Sequence, residues 1–162
     1  ALVERAIQRK LFARALKREV VADQDLAALV DQLISADMVG MVSMARKAAQ
    51  FVSGATKVDA AVRSGAAIAV FHASDAAPDG VRKINQARKA WKLGSDAEDD
   101  IPSFSFFTGA EMDELMGQNA FIHACALAGQ AGEGVVKRAT MLERYRGVGQ
   151  SGADGVAGRP EQ

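Results

Sequence analysis

Apolar and polar positions along this chain change period several times, and the changes divide it into elements. Over residues 2–18, Val3, Ile7, Leu11 and Ala15 recur every four residues with Leu16 alongside, the pattern of an amphipathic helix. Asp23 is placed to cap a second helix running to Ile34, with Leu26, Leu29, Val30 and Leu33 on one side. Helical spacing returns from Val39 through Val42, Met44, Ala45 and Ala48 and ends near Gln50. FVS at 51–53 then reads as a short strand, and Gly54 opens a turn. Thr56 is placed to cap a helix from Lys57 to Ser64, with Gly65 at its left-handed C-terminal position.

The second half of the chain alternates in the same way. AIAVFHA at 67–73 is apolar without alternation, as in a strand covered on both faces. Residues 81–93 are helical, and GSDAEDD at 94–100 is an acidic loop. IPSFSFF at 101–107 reads as a strand. Thr108 and Glu111 form a capping box opening a helix to about Met116, where Gly117 stops it. AFIHACAL at 120–127 is a further strand, and 133–147 a final helix with Val136, Met141 and Tyr145 among its apolar positions. The glycine-rich tail from Gly147 reads as disordered. Alternation through 39–146 predicts an α/β layer structure with helices on both faces of a sheet, and residues 1–35 a separate helical appendage. A length of 162 residues suits one domain with such an appendage.

Charge adds a local signal only. Twenty cations balance twenty anions, so net charge favours no class of partner. The first helix is the exception: Arg5, Arg9, Lys10, Arg14, Lys17 and Arg18 stand against Glu4 and Glu19, six against two, a surplus of four suited to a polyanion. Arg82, Lys83, Arg88, Lys89 and Lys92 form a second basic stretch, read as a solvated helix face balanced by the acids at 96–100. A single cysteine, Cys125, forbids an intramolecular disulfide and suits a reducing, cytoplasmic setting. No apolar run approaches the roughly 18 residues of a spanning helix, and no signal peptide is visible. The chain opens at Ala1 in mid-helix pattern, as expected if the true N-terminus lies upstream.

Candidate chemistry is sparse. There is no nucleophile elbow, P-loop or dinucleotide fingerprint, so no enzyme and no cofactor is expected. His72 and His123 both fall in strands. His123 and Cys125, two apart, share one sheet face, but one His and one Cys cannot close a zinc shell, and they read as ordinary sheet residues. The turn at 53–57 is different. A glycine feeding a helix N-terminus presents unpaired backbone N–H groups and the positive dipole end, which suits phosphate.

Two stretches, GATKVDAAVRSGAAIAVFHASDAAPDGVRK and IPSFSFFTGAEMDELMGQNAFIHACAL, together resemble the kink-turn-binding ribosomal-protein superfamily of the L-seven-Ae/L-thirty-e type. The twelve residues from Gly54 to Gly65 match the family's glycine spacing, Ala73, Ser74, Asp75 and Pro78 its next loop, and Ile101, Pro102 and Ser103 its Ile-Pro-Tyr strand. Glu114, Leu115, Met116 and Gly117 stand in for a later helix motif in altered form. The first 35 residues, LVERAIQRKLFARALKR then DLAALV, resemble the C-terminal part of a YlxR-like domain. Bacterial fusions of the two are usually called RNA-binding or nucleic-acid-binding proteins implicated in transcription termination.

The resemblance implies a three-layer α/β/α sandwich with a small mixed sheet over 37–146, a helical YlxR-like remnant over 1–36 and a tail over 147–162. It implies RNA contacts at Gly54, Ala55, Thr56 and Lys57 and at Gly117, Gln118, Asn119 and Ala120, supported by the basic helix at Arg5, Arg9, Arg14, Lys17 and Arg18. Thr56, Lys57 and Ala60 replace the family's Asn, Glu and Lys. Lysine has only donors and cannot accept from a guanine edge as the family's Glu does; it can reach guanine O6/N7 or a phosphate. The expectation is therefore a cytoplasmic, non-enzymatic binder of structured RNA in transcription or translation, without kink-turn reading of the usual kind. The rival reading is a protein-interaction module that docks a ribosome, polymerase or ribonuclease.

Overall fold

In a computed structural model describing residues 2–154, five α-helices surround a four-stranded mixed sheet. The elements are α1 (Leu2–Lys47), β1 (Phe51–Ser53), α2 (Ala55–Arg63), β2 (Ala67–His72), α3 (Pro78–Ser95), β3 (Ser103–Phe104), α4 (Gly109–Met116), β4 (His123–Leu127) and α5 (Gln130–Asp154). A single 3₁₀ turn, Gly117–Asn119, follows α4. The sheet order is β1-β4-β2-β3, with β4 antiparallel to both β1 and β2 and β3 parallel to β2.

The pleat sorts side chains into two apolar clusters. Phe51, Phe71, Phe104, Ala124 and Ala126 pack with Met38, Val42 and Ala45 of α1, Met112 of α4, and Val135, Ala139 and Leu142 of α5. Val70 and Cys125 pack with Val58 and Val62 of α2 and Ile84 and Ala87 of α3. β2 therefore contributes alternate residues to two cores, which is why its sequence is apolar without alternation. Fully buried side chains such as Ile84, Met112 and Leu142 each contribute about 1.5–3 kcal/mol of burial.

Several boundaries differ from the sequence reading. The three helices expected between residue 2 and Gln50 form one continuous helix, and Asp23 lies inside it rather than capping a start. The intervening EVVADQD and SADM carry no proline or glycine, so nothing breaks the backbone ladder there, and Gly40 alone does not stop it. The helix ends instead where Ala49 turns left-handed, at φ 58°. As one helix, α1 includes within Ile7–Lys47 a stretch long and apolar enough to cross a membrane by length and composition, which interrupted segments did not suggest; its Met38, Val42 and Ala45 face the protein's own core.

Thr56 does not cap α2. Gly54 does, at φ 109° and without a side-chain bond, and Thr56 falls in the first turn. Gly65 is left-handed at φ 77°, as its position predicted, and a side chain there would sit 2.5 Å from Trp91 Nε1. Of the strand expected at 101–107 only Ser103–Phe104 pairs, because β3 is an edge strand and Pro102 has no N–H to donate; the Pro102 carbonyl still accepts from Val70 N at 2.9 Å. β4 begins at His123 rather than 120. Thr108 caps α4 as its spacing predicted, Oγ1 accepting from Glu111 N at 3.2 Å, which is one half of the capping box. α5 runs on past Gly147 to Asp154; the rest of the expected tail, 155–162, lies outside the described residues.

Candidate nucleic-acid interface

One end of the sheet opens into a cleft of about 720 Å³. Its walls come from four places: Gly54 and Ala55 at the start of α2, Asp75 and Ala76 in the β2–α3 loop, Gly109 at the start of α4, and Phe121 and His123 leading into β4. Strand pairing brings them together. Gly54 N donates to His123 O at 2.9 Å, and Ala73 N donates to Ile122 O at 2.9 Å. Asp75 Oδ1 accepts from Gly109 N at 2.9 Å, tying the β2–α3 loop to α4.

Two of the sequence-predicted site segments meet here. Gly54, Ala55 and Ala120 line the cleft. Thr56 and Lys57 follow on the exposed first turn of α2, where backbone N–H groups precede the first helical bond, from Val58 N to Gly54 O. Gly117, Gln118 and Asn119 form the 3₁₀ turn leading to Ala120. That turn is fastened to α1: Arg46 Nη2 donates to Asn119 O at 2.6 Å, while the guanidinium lies 5.4 Å from the Phe51 ring and 6.0 Å from Phe121. Burial holds the Arg46 pKa below its ordinary value. Arg46→Ala is expected to cost about 2 kcal/mol. It should also speed amide exchange at Asn119 and Ala120 while leaving the β4 amides protected; unchanged exchange at 119–120 would remove Arg46 from this role.

The basic residues of α1 do not join the cleft. Arg5, Arg9, Arg14, Lys17 and Arg18 are exposed on the N-terminal part of the helix, well before the segment that packs on the body. The second basic stretch is largely matched locally. Arg82 and Lys83 pair with Asp79, Lys92 with Asp100 at 3.0 Å, and Arg88 binds the Ile101 carbonyl.

Sequence reasoning missed the pairing of the histidines. His72 and His123 are direct cross-strand partners, with Nδ1 atoms 2.8 Å apart and rings at 79°. Each is buried. Two neutral rings satisfy this contact when one donates Nδ1–H to the bare Nδ1 of the other. His72 Nε2 is buried without a partner. A buried lone pair is less costly than a buried unpaired N–H, so His72 is assigned as the Nδ1–H donor and His123 carries its proton on Nε2. His123 Nε2 faces the first turn of α3, where a side chain on Gly80 would come within 2.7 Å; that close approach accounts for glycine there. The signal was present in the sequence as one histidine in each strand, but only the register makes them neighbours. Cys125 lies on the same face, and burial pushes its thiol up to about 11. Among the described residues no three His, Cys, Asp or Glu side chains cluster as a metal site would need.

No protein-family model and no curated protein matches the chain. Among solved structures, a protein with unknown function from Bacillus halodurans C is similar over 65% of this chain and 98% of its own length, with a TM-score of 0.52 and 16% identity. At that identity the likeness shows the fold alone.

Proposed function

We propose that this protein is a non-enzymatic binder of structured RNA, acting in the cytoplasm alongside the transcription or translation machinery. On this reading its body is the three-layer α/β/α sandwich of the L-seven-Ae/L-thirty-e type, and α1 begins as the end of a YlxR-like domain. The observation that supports the reading most is the meeting at one cleft of Gly54 and Ala55 at the α2 N-terminus with Ala120 at the end of the 117–120 turn, two segments more than fifty residues apart in sequence. Gly54 at φ 109° keeps the backbone open there, with nothing within 4 Å of where a side chain would stand. The N–H groups of the first α2 turn donate to phosphate oxygens, Lys57 adds a charge-assisted contact, and the exposed cations at the start of α1, apart from the cleft, offer a second contact to the nucleic-acid backbone.

A salt titration of affinity for a structured RNA tests this. The logarithm of affinity should fall linearly with the logarithm of salt concentration. Lys57→Ala should lower the slope by about 1 and weaken binding by a similar factor across RNA sequences. Absence of binding at low salt would remove the function. A Lys57→Ala variant with unchanged slope would move the site away from the cleft.

A further inference from the structure

Every residue of α1 from 7 to 29 is exposed. Along this free length and its continuation run Phe12, Ala15, Glu19, Ala22, Leu26, Leu29 and Leu33, in alternating steps of three and four residues. That is the a/d spacing of a coiled-coil seam, held for three heptads. The large members are open to solvent: Phe12 is 67% exposed, Leu26 59%, Leu29 50% and Leu33 61%. The helix buries a different face on the body, through Met38, Val42 and Ala45. We propose that this seam pairs with the same seam of a second copy of the chain, with the two α1 helices antiparallel.

Charge selects both the occupant and the direction. All six cations of the first part of α1 precede residue 19, and from Glu19 to Ala45 the helix has no cation but carries Glu19, Asp23, Asp25, Asp31 and Asp37. Asp31 and Asp37 are taken within the chain by Arg146 and Arg138, each at 2.9 Å. Asp23 and Asp25 have no ion-pair partner among the described residues. A parallel pair would set basic beside basic. An antiparallel pair centred between Val20 and Val21 sets the basic segment of each helix beside the acidic segment of the other.

In that register Phe12 meets the partner's Leu29, Ala15 the partner's Leu26 and Glu19 the partner's Ala22, so the bulkiest layers lie toward the ends of the overlap and the smallest at its centre. Arg18 stands beside the partner's Asp25, and two-fold symmetry makes that contact twice. The overlap of residues 8–33 is about 39 Å long. Glu19 is the one charged residue in the seam between Phe12 and Leu33, and such a residue fixes register at some cost in affinity. Lys10, Arg14 and Lys17 stay on the outer face, so the pairing leaves these cations open to RNA on two faces in place of one, while Arg18 is taken by the partner's Asp25.

Sedimentation of the full chain at tens of micromolar should give twice the chain mass. Leu26→Asp with Leu29→Asp should give monomer with an unchanged circular-dichroism spectrum, since neither side chain contacts the core. Arg18→Asp or Asp25→Arg alone should weaken the dimer about tenfold, and the two together should restore it. Ala15→Cys mixed with Leu26→Cys should form a disulfide that neither variant forms alone; the buried Cys125 does not compete. A monomer at every concentration, a dimer indifferent to Leu26→Asp with Leu29→Asp, or an Ala15→Cys homodimer disulfide would each overturn the proposal. So would a monomer that sediments with phosphatidylglycerol vesicles through Leu26 and Leu29, which would make the seam a membrane-facing surface.

Discussion

Gly132→Ala is expected to destabilise the protein by about 3 kcal/mol or more, the upper end of what an overpacked site costs. Gly132 sits in the first turn of α5, against the end of β4. A methyl group there would overlap the Leu127 carbonyl oxygen and stand 3.1 Å from the Gln50 carbonyl oxygen. Both obstacles are backbone, so no rotamer change relieves them. The same spot is where α5 is capped from a distance: Gln50 Oε1 accepts from Ala131 N at 2.9 Å and from Gly132 N at 3.0 Å. Relieving the clash by moving α5 would break that cap, and with it the packing of Val135, Ala139 and Leu142 on the sheet. Gly40→Ala is the control. Gly40 lies in α1 with nothing within 4 Å of its missing side chain, so the change should stabilise by about 0.5–1 kcal/mol through helix propensity. Chemical denaturation of the two variants should shift the midpoint in opposite directions. A Gly132→Ala midpoint equal to that of the parent chain would refute the account of this junction.

The Gln50 cap also shows where sequence reading reached its limit. The existence and type of most elements followed from period and length, helical spacing marking the helices of the body and a short apolar run bounded by turns marking β2. Local chemistry with a short reach was legible too: Thr108 caps α4 where its spacing placed it, and Gly65 takes the left-handed conformation its place at a helix end requires. What was not legible depended on partners far along the chain. The cap of α5 comes from Gln50, the Arg46 clamp reaches Asn119, and the His72–His123 contact spans 51 residues. None of these has a local signature. The continuity of α1 was missed for the opposite reason. Asp23 imitates a cap, yet with no glycine or proline beside it the helix runs through, and the single Gly40 further on does not stop it. The candidate cleft was half legible: glycine spacing marked the α2 corner, while Asp75, Phe121 and His123 entered it only through sheet register.

Acidification should weaken this fold between about pH 6.5 and pH 4, and the buried histidine pair should be the main cause. Burial, the neighbouring His123 and the charge of Arg88 push His72 down to about 4 from an ordinary 6.5, and burial lowers His123 as well. The folded values lie below the unfolded ones, so the pair's contribution is fully present above about pH 6.5. As pH falls through that window the unfolded chain takes up protons that the folded chain refuses, and stability is lost, by roughly 3 kcal/mol for His72 alone. Asp31 works lower down. Its hydrogen bond from Arg146 holds it below its ordinary 3.8, so its contribution is lost beneath the histidine window. Urea midpoints should therefore be nearly level between pH 7.5 and 6.5 and fall from 6.5 through 5.5 to 4.5. A His72→Leu, His123→Leu double variant removes both partners together, leaves neither ring unpaired, and should flatten the curve over that range. If the double variant keeps the parent slope, the histidines are not its source. Protonation of His123 acts on the cleft as well, since a proton on its Nδ1 sets two N–H groups against each other at the Nδ1–Nδ1 contact and His123 forms part of the cleft wall. RNA affinity at fixed salt should then fall with pH in parallel with the loss of stability, where phosphate binding by Lys57 and the α2 N–H groups alone would leave it unchanged across this range.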